Sequence, residues 1–148
     1  MKEKVALFAG SFNPFTLGHK SIADRTLDTM ADRLVIGVGY NQAKQDFDTV
    51  EARVADIRRI YAGDDRVEVK AYSCLTTDFA RAQGVDFMVR GVRSVADFEF
   101  ERQLADANLD ISGIETVLLF SLPQYGFISS SLVRELQSFG ADASKYLP

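Results

Sequence analysis

Residues 5–19 read VALFAGSFNPFTLGH, and this stretch decides the fold. Its first five residues form a short continuous apolar run, which is typical of a strand buried on both faces of a sheet. A loop from Gly10 to His19 follows, and the apolar residues after it recur every three or four positions, as on a helix. The stretch therefore predicts a strand, a turn and a helix in direct succession.

The same alternation continues along the rest of the chain. Further apolar runs at 34–38, 67–72, 87–89 and 116–121 predict four more strands. Parallel neighbours need crossover connections, so the repeat predicts a doubly wound, Rossmann-like α/β fold: a five-stranded parallel sheet with helices on both faces. The helical residues expected to face the sheet are Ile22, Ala23, Thr26, Leu27 and Met30, then Val50, Val54, Ile57 and Tyr61, then Phe79 and Ala82, then Phe98, Leu104 and Leu109, and last Leu132, Val133, Leu136 and Phe139.

Length and composition predict a single domain spanning residues 1–148. The chain is 47% hydrophobic and 26% charged, and it contains no linker-like segment. With 17 basic and 21 acidic residues it carries a net charge of −4, which argues against a nucleic-acid partner. Its apolar runs are too short for a membrane span, so we expect no membrane partner and a cytoplasmic location. Cys74 is the only cysteine, which excludes an internal disulfide, and we expect it to be a small core residue.

The loop after the first predicted strand has the residue types of a phosphate site. Ligands of doubly wound sheets bind at the carboxyl ends of the strands, where this loop lies. Gly10 and Gly18 allow the backbone to approach a ligand closely, Ser11 offers a hydroxyl, and His19 stands near a helix start. Neither GxxxxGK[ST] nor GxGxxG is present, so the usual kinase and dinucleotide signatures are missing.

Two later loops carry matching chemistry at the same predicted edge. Arg90 and Arg93 flank Gly91 after the fourth strand, and the planar guanidinium suits phosphate. The predicted helix that follows begins near Asp97. Residues 125–131 read YGFISSS before the last helix, where Ser129 is a candidate cap and the unpaired amides can bind an anion.

These segments, in this order, resemble one known family over the length of the chain. Residues 10–19 are similar to the T/HxGH signature of the nucleotidylyltransferase superfamily. The stretches 90–93 (RGVR), 97–101 (DFEFE) and 127–135 (FISSSLVRE) resemble the phosphopantetheine adenylyltransferase family. The resemblance implies transfer of the adenylyl group of ATP to 4'-phosphopantetheine, giving dephospho-coenzyme A and pyrophosphate in the penultimate step of coenzyme A biosynthesis. It also implies Mg²⁺ as cofactor and a homo-oligomer, a homohexamer in the family.

The resemblance further implies roles for individual residues. His19, Lys44 and Arg93 match catalytic positions, with His19 stabilising the transition state. The matches to ATP contacts are Ser11, Phe12, His19, Gly91, Val92, Arg93, Glu101, Tyr125, Gly126, Phe127, Ile128, Ser129, Ser130 and Ser131. The matches to phosphopantetheine contacts are Ser11, Lys44, Thr76 and Arg90. These roles fit the chemistry, because a phosphate nucleophile is already an anion and needs alignment and hydrogen-bond donors rather than a base. No metal-ligating residue is expected, since Mg²⁺ can be held by phosphate oxygens and waters.

Two other functions remain open at this point. One is another nucleotidylyltransferase, of the mononucleotide adenylyl or cytidylyl type, with the same loops but a different acceptor. The other is a non-catalytic regulator that binds ATP without turnover. An assay of pyrophosphate release with several acceptors separates these possibilities.

Overall fold

A five-stranded parallel sheet forms the centre of the part of the chain that the computed structural model describes, residues 2–43 and 49–148. Its strands run in the order β3-β2-β1-β4-β5. Ala6 in the central strand pairs with Leu34 on one side and Phe87 on the other, and it is fully buried. The predicted fold class is confirmed. The strands are β1 (Val5–Gly10), β2 (Arg33–Gly39), β3 (Val67–Tyr72), β4 (Phe87–Val92) and β5 (Glu115–Phe120).

Helices cover both faces of the sheet. They are α1 (Leu17–Thr29), α2 (Val50–Ile60), α3 (Thr76–Gln83), α4 (Val95–Ser112) and α5 (Ser130–Ser138), with 3₁₀ turns at Pro123–Tyr125 and Ser144–Tyr146. Ile22 of α1 and Ile57 of α2 join one core with Phe8, whereas Phe79 of α3 joins a second core with Leu7 on the opposite face. None of the helices in the described residues is long and apolar enough to cross a membrane.

The sheet-facing side chains of α1 and α2 were predicted correctly, as were Phe79 of α3 and Val133 of α5, but those predicted for α4 were not. Phe98, Leu104 and Leu109 of α4 are each about two-fifths exposed, and Glu101 is the one buried residue that α4 has in the described structure. The helix packs against β4, α3 and β5, and β5 is an edge strand of the sheet. The other side chains wrongly predicted to be buried are those of Cys74, Ala82 and Phe139.

Strand β4 is longer than predicted, and this changes the setting of its basic residue. It continues to Val92, so Arg90 and Gly91 lie within the strand and not in a loop. Successive strand residues face opposite sides, which directs Arg90 towards α4 and Gly91 towards α1. A Cβ at Gly91 would lie 3.0 Å from Ile22 Cγ1, so glycine lets α1 pack closely here.

The strand order creates a cleft between β1 and β4. The chain leaves β1 towards β2 on one side of the sheet, and it leaves β4 towards β5 on the other. Such a reversal is a topological switch point, where the connections diverge and leave space at the carboxyl ends of the strands. The first two predicted loops both open into this space.

Candidate functional site

The cleft holds a cavity of about 290 Å³, which we call the first cavity. It lies at the carboxyl ends of β1 and β4 and joins residues from all three predicted segments, and both His19 and Arg93 line it. The convergence expected from the sheet topology is confirmed. The predicted site residues that line it are Ser11, Phe12, His19, Arg90, Gly91, Arg93, Glu101, Ile128, Ser129, Ser130 and Ser131.

A capping box at the start of α1 fixes the orientation of His19. Thr16 is the N-cap, and its hydroxyl accepts a hydrogen bond from the His19 backbone N–H at 3.4 Å. In return, His19 Nδ1 accepts from the Thr16 backbone N–H at 2.9 Å. Because a backbone N–H can only donate, Nδ1 carries no proton, and in the neutral ring the proton lies on Nε2. His19 therefore presents an Nε2–H donor.

The imidazole of His19 is neutral around physiological pH. Burial, followed by the positive charges of Arg90 and Arg93, lowers the pKa of His19 from 6.5 to about 3. A neutral donor near two arginines is suited to binding an anion, and it is unsuited to supplying a proton at pH 7.

Aromatic side chains pack against the imidazole ring of His19. Phe12 is buried, and its ring centre lies 5.0 Å from that of His19 in an edge-to-face arrangement. The backbone of Phe12 has φ of 46°, a left-handed conformation that costs a bulky residue about 1–2 kcal/mol. A Cβ at Gly10 would lie 3.0 Å from Phe12 Cζ, so the absence of a side chain at Gly10 makes room for this ring.

Arg90 is held by three hydrogen bonds, two to Glu101 of α4 and one to the neighbouring strand β1. Its Nε donates to Glu101 Oε2 at 2.9 Å and its Nη2 donates to Glu101 Oε1 at 2.7 Å. Its Nη1 donates to the backbone oxygen of Ala9. Burial by itself lowers the pKa of Arg90, but the hydrogen bonds and charge of Glu101 outweigh burial and raise the pKa above its usual value. The guanidinium is therefore a permanent and fixed cation.

The three serines before Leu132 each have a different structural role. Ser129 caps α5 by accepting from the Leu132 N–H at 3.1 Å, as predicted. The Ser130 hydroxyl donates to the Pro14 oxygen at 2.7 Å, and the Ser131 hydroxyl accepts from Arg134 at 3.2 Å. The N-terminus of α5 is therefore fastened to the loop after β1, with its free amides at the cavity.

Two arginines at this site were missed by the sequence analysis. Arg134 lines the first cavity and donates to the Asn13 oxygen at 2.6 Å. Its place one turn after Ser130 on α5 is a signal that could have found it. Arg53 of α2 is 3% exposed and donates to the Ser11 oxygen at 2.6 Å. Nothing in the sequence distinguishes Arg53 from the exposed Arg58 and Arg59 on the same helix.

A second cavity of about 270 Å³ adjoins the first. Ser11, Arg90 and Glu101 line both cavities. The predicted residue Thr76 lies only in the second, where its hydroxyl is 2.9 Å from the Tyr72 hydroxyl. Residues not predicted include Leu75, Leu104 and Asn108. Asn108 follows Glu101 by seven residues, a spacing that places both on one side of α4.

Four of the predicted positions in the described residues line neither cavity. Val92, Tyr125, Gly126 and Phe127 do not line the first cavity in the described structure; Val92 is buried, and Phe127 is exposed with its ring against Tyr146. Lys44 falls outside the described residues.

The acidic residues of the first cavity are already paired with arginines. Asp97 accepts from the Arg93 backbone N–H at 3.0 Å and lies 3.6 Å from Arg93 Nε, and Glu101 is bound by Arg90. Across residues 2–43 and 49–148, no group of three or more His, Cys, Asp or Glu side chains is placed to hold a metal ion. This donor set fits a divalent cation carried by a bound phosphate compound, and it does not form a protein cage.

Comparisons with known proteins agree with the architecture. A cytidylyltransferase-like family model matches residues 7–136. The chain is 50% identical to the phosphopantetheine adenylyltransferase of Phocaeicola vulgatus, over 97% of this chain and 94% of that protein. It is 49% identical to the phosphopantetheine adenylyltransferase of Porphyromonas gingivalis strain W83, over 100% and 96%.

A solved structure extends the agreement to the fold. It is the bifunctional NMN adenylyltransferase/ADP ribose pyrophosphatase of Francisella tularensis, complexed with AMP and a manganese ion. It matches with a TM-score of 0.74 at 13% identity, over 99% of this chain and 44% of that one.

Proposed function

Since this chain belongs to the phosphopantetheine adenylyltransferase family, we propose that its two adjoining cavities hold the two substrates of that reaction and meet at Arg90. The enzyme transfers the adenylyl group of ATP to 4'-phosphopantetheine and forms dephospho-coenzyme A and pyrophosphate, a step of coenzyme A biosynthesis. The observation that carries the assignment of the cavities is that they share four lining residues, Gly10, Ser11, Arg90 and Glu101.

The first cavity suits ATP because its donors converge on one space. His19 offers a neutral Nε2–H, Arg93 and Arg134 offer guanidinium groups, and α5 offers free backbone amides. The attacking phosphate is an anion, so the protein has to align two anions and disperse the negative charge that develops. We assign His19 and Arg93 to the triphosphate for this reason. Lys44 remains a predicted third catalytic residue, in addition to His19 and Arg93.

The second cavity suits phosphopantetheine because it changes from charged to apolar along its wall. Arg90 lies at the end shared with the first cavity, and Leu75 and Leu104 supply apolar surface farther from it. Asn108 and the hydroxyl pair of Tyr72 and Thr76 offer partners for amide groups. A phosphate at Arg90 would place the rest of a pantetheine chain along this wall.

A pyrophosphate-release assay tests the function directly. Purified enzyme is incubated with ATP or CTP and with phosphopantetheine, nicotinate mononucleotide or nicotinamide mononucleotide. We expect release only with ATP and phosphopantetheine. Release with another acceptor, or tight ATP binding without release, would contradict the proposal.

We propose Mg²⁺ as the cofactor, held by substrate phosphates and water. The pairing of Asp97 and Glu101 with arginines supports this arrangement, because neither carboxylate is left to form a cage. A bound ion would supply positive charge that neutralises part of the charge on the substrate phosphates. Activity should disappear with EDTA and return with Mg²⁺, whereas the melting temperature of the ligand-free enzyme should stay unchanged.

We also propose a homo-oligomer, a homohexamer as in the family, and a cytoplasmic location. Helix α4 supports assembly, because Phe100, Leu104 and Ile111 share one side of it and are each at least 39% exposed. Light scattering on a sizing column measures the subunit number. Cell fractionation measures the location.

A further inference from the structure

The one buried side chain of α4 in the described structure is an acid. Glu101 is 4% exposed, whereas Phe98 on the turn before it is 40% exposed. Glutamate is seldom fully buried unless it is paired. The burial of this carboxylate, on a helix whose phenylalanines are exposed, has to be explained by the group that pairs with it.

The partner is Arg90, which occupies both oxygens of Glu101. The two bonds of 2.9 and 2.7 Å form a side-on, bidentate pair through Nε and Nη2, and the third bond runs from Nη1 to Ala9. Three of the five N–H donors of the guanidinium are used in this way. One N–H on each of the two terminal nitrogens remains for a ligand, and the plane of the fork is fixed by both neighbours.

The location of this pair matters more than its strength. Arg90 and Glu101 line both cavities, so the guanidinium lies where an acceptor phosphate has to meet the nucleotide. A buried ion pair is a weak source of stability, because desolvation offsets most of the attraction. We therefore expect Glu101 to contribute to function by fixing the position of the Arg90 guanidinium, and to contribute little to stability.

We propose that Glu101 is a positioning residue that fixes the guanidinium of Arg90 to receive the phosphate of phosphopantetheine, rather than a contact of the nucleotide. This inference rests on the proposed function of the two cavities. It gives Glu101 a role on the acceptor side, whereas the family resemblance places it on the ATP side. The two roles predict different kinetic results.

The test is a mutant cycle with Glu101→Gln and Arg90→Lys. Glutamine keeps the size of the side chain but replaces one acceptor oxygen with an NH₂ group that faces an arginine donor. We expect Glu101→Gln to raise KM for phosphopantetheine roughly tenfold, the effect of losing one charge-assisted bond. KM for ATP should change less than twofold. In the Arg90→Lys background, the same change should add little, because the fork that it orients is gone.

Two outcomes would overturn the proposal. One is a rise in KM for ATP of similar size in both backgrounds, which would show contact with the nucleotide. The other is an unchanged KM for phosphopantetheine in a folded Glu101→Gln enzyme. Glu99→Gln, an exposed acid two residues earlier on α4, is the matched control and should leave both constants unchanged.

A structural readout separates this proposal from the proposed function. In NMR spectra of ¹⁵N-labelled enzyme, the Nε–H signal of Arg90, assigned by its loss in Arg90→Lys, should be protected from exchange and lose protection in Glu101→Gln. Unchanged protection would overturn the positioning role even if wild-type enzyme is active. An inactive wild type with the expected signals would instead contradict the proposed function. If Glu101→Gln does not fold, Glu101→Asp replaces it. Aspartate keeps the carboxylate but is shorter by one methylene, so we expect a smaller rise in KM for phosphopantetheine and a smaller loss of Nε–H protection.

Discussion

The chemistry of His19 follows from the partner of its other nitrogen. Because Nδ1 accepts the Thr16 N–H, the ring keeps its proton on Nε2 and faces the cavity as a donor. Burial and two arginines keep it uncharged, with a pKa of about 3. A donor of this kind stabilises negative charge without exchanging a proton. Its interaction should strengthen as charge develops in the transition state.

His19→Ala should therefore lower kcat by about 10²–10³, the usual effect of removing one such donor. The Kd for ATP should change little, because the bound ground state relies on the arginines and amides as well. Single-turnover rates and calorimetric titration measure the two quantities. An equal loss in rate and affinity would show that His19 contributes uniform binding instead.

His19 should also make stability depend on pH. Its folded pKa of about 3 lies below the unfolded value of 6.5, so between these values the unfolded chain binds more protons. The free energy of unfolding should fall as pH drops from about 6.5 towards 3, by at most about 1.4 kcal/mol per pH unit from this group. Denaturant titrations of wild type and His19→Gln at several pH values measure it. The free energy of unfolding of wild type minus that of His19→Gln should decrease as the pH falls through this range.

At the scale of elements, the capping box gives the T-x-G-H spacing a structural reason. A side chain three residues after an N-cap can reach back to the cap, and here a histidine does so in place of the usual glutamate. The same hydrogen bonds therefore begin α1 and orient the His19 ring. A change at Thr16 should affect both stability and rate.

Thr16→Ala should lower the free energy of unfolding by about 1 kcal/mol, the typical effect of losing an N-cap hydroxyl. It should also reduce kcat, because the Thr16 hydroxyl lies 3.2 Å from Nδ1 and helps to hold the ring. Thr16→Ser keeps the hydroxyl and is the matched control. Urea unfolding and steady-state kinetics test both effects, and a rate loss in Thr16→Ser equal to that in Thr16→Ala would contradict the capping explanation.

The buried side chains of an element were predictable where the local sequence pattern determines them, and they were not where tertiary packing determines them. The buried face of α1 was evident from Ala23 and Leu27, which lie four residues apart and whose side chains join the core against the sheet. For α4 the same periodicity misled, because it covers a sheet edge and its inward position at 101 holds an acid. Arg90 was predicted as a loop residue, since the glycine beside it concealed the continuation of β4.

At the scale of the molecule, the convergence of three segments was predictable and the second cavity was not. Carboxyl ends of parallel strands share one edge, so Ser11, Arg90 and Ser129 had to approach each other. The second cavity depends on the packing of α4 against α3 and the sheet, which brings Asn108 and Thr76 into the lining of one cavity. Periodicity in the sequence gives no information about how two helices pack against each other.

The exposed side of α4 should control assembly. Phe100→Glu places a charge on a surface that we expect to be buried between subunits, where an unpaired charge is strongly unfavourable. The mass measured by light scattering should fall towards that of smaller species. Phe139→Glu, at an equally apolar but separate site that is 83% exposed, is the control. An unchanged mass for Phe100→Glu would remove this side of α4 from the subunit interface.

The common wall at Arg90 also bears on inhibition. Dephospho-coenzyme A contains an adenylyl group and a pantetheine arm in one molecule, so it should fill both cavities at once and compete with each substrate separately. In a synthetic molecule that joins the two halves through a non-hydrolysable bridge, binding of the first half brings the second half to its cavity. Such a molecule should therefore bind more tightly than either half alone.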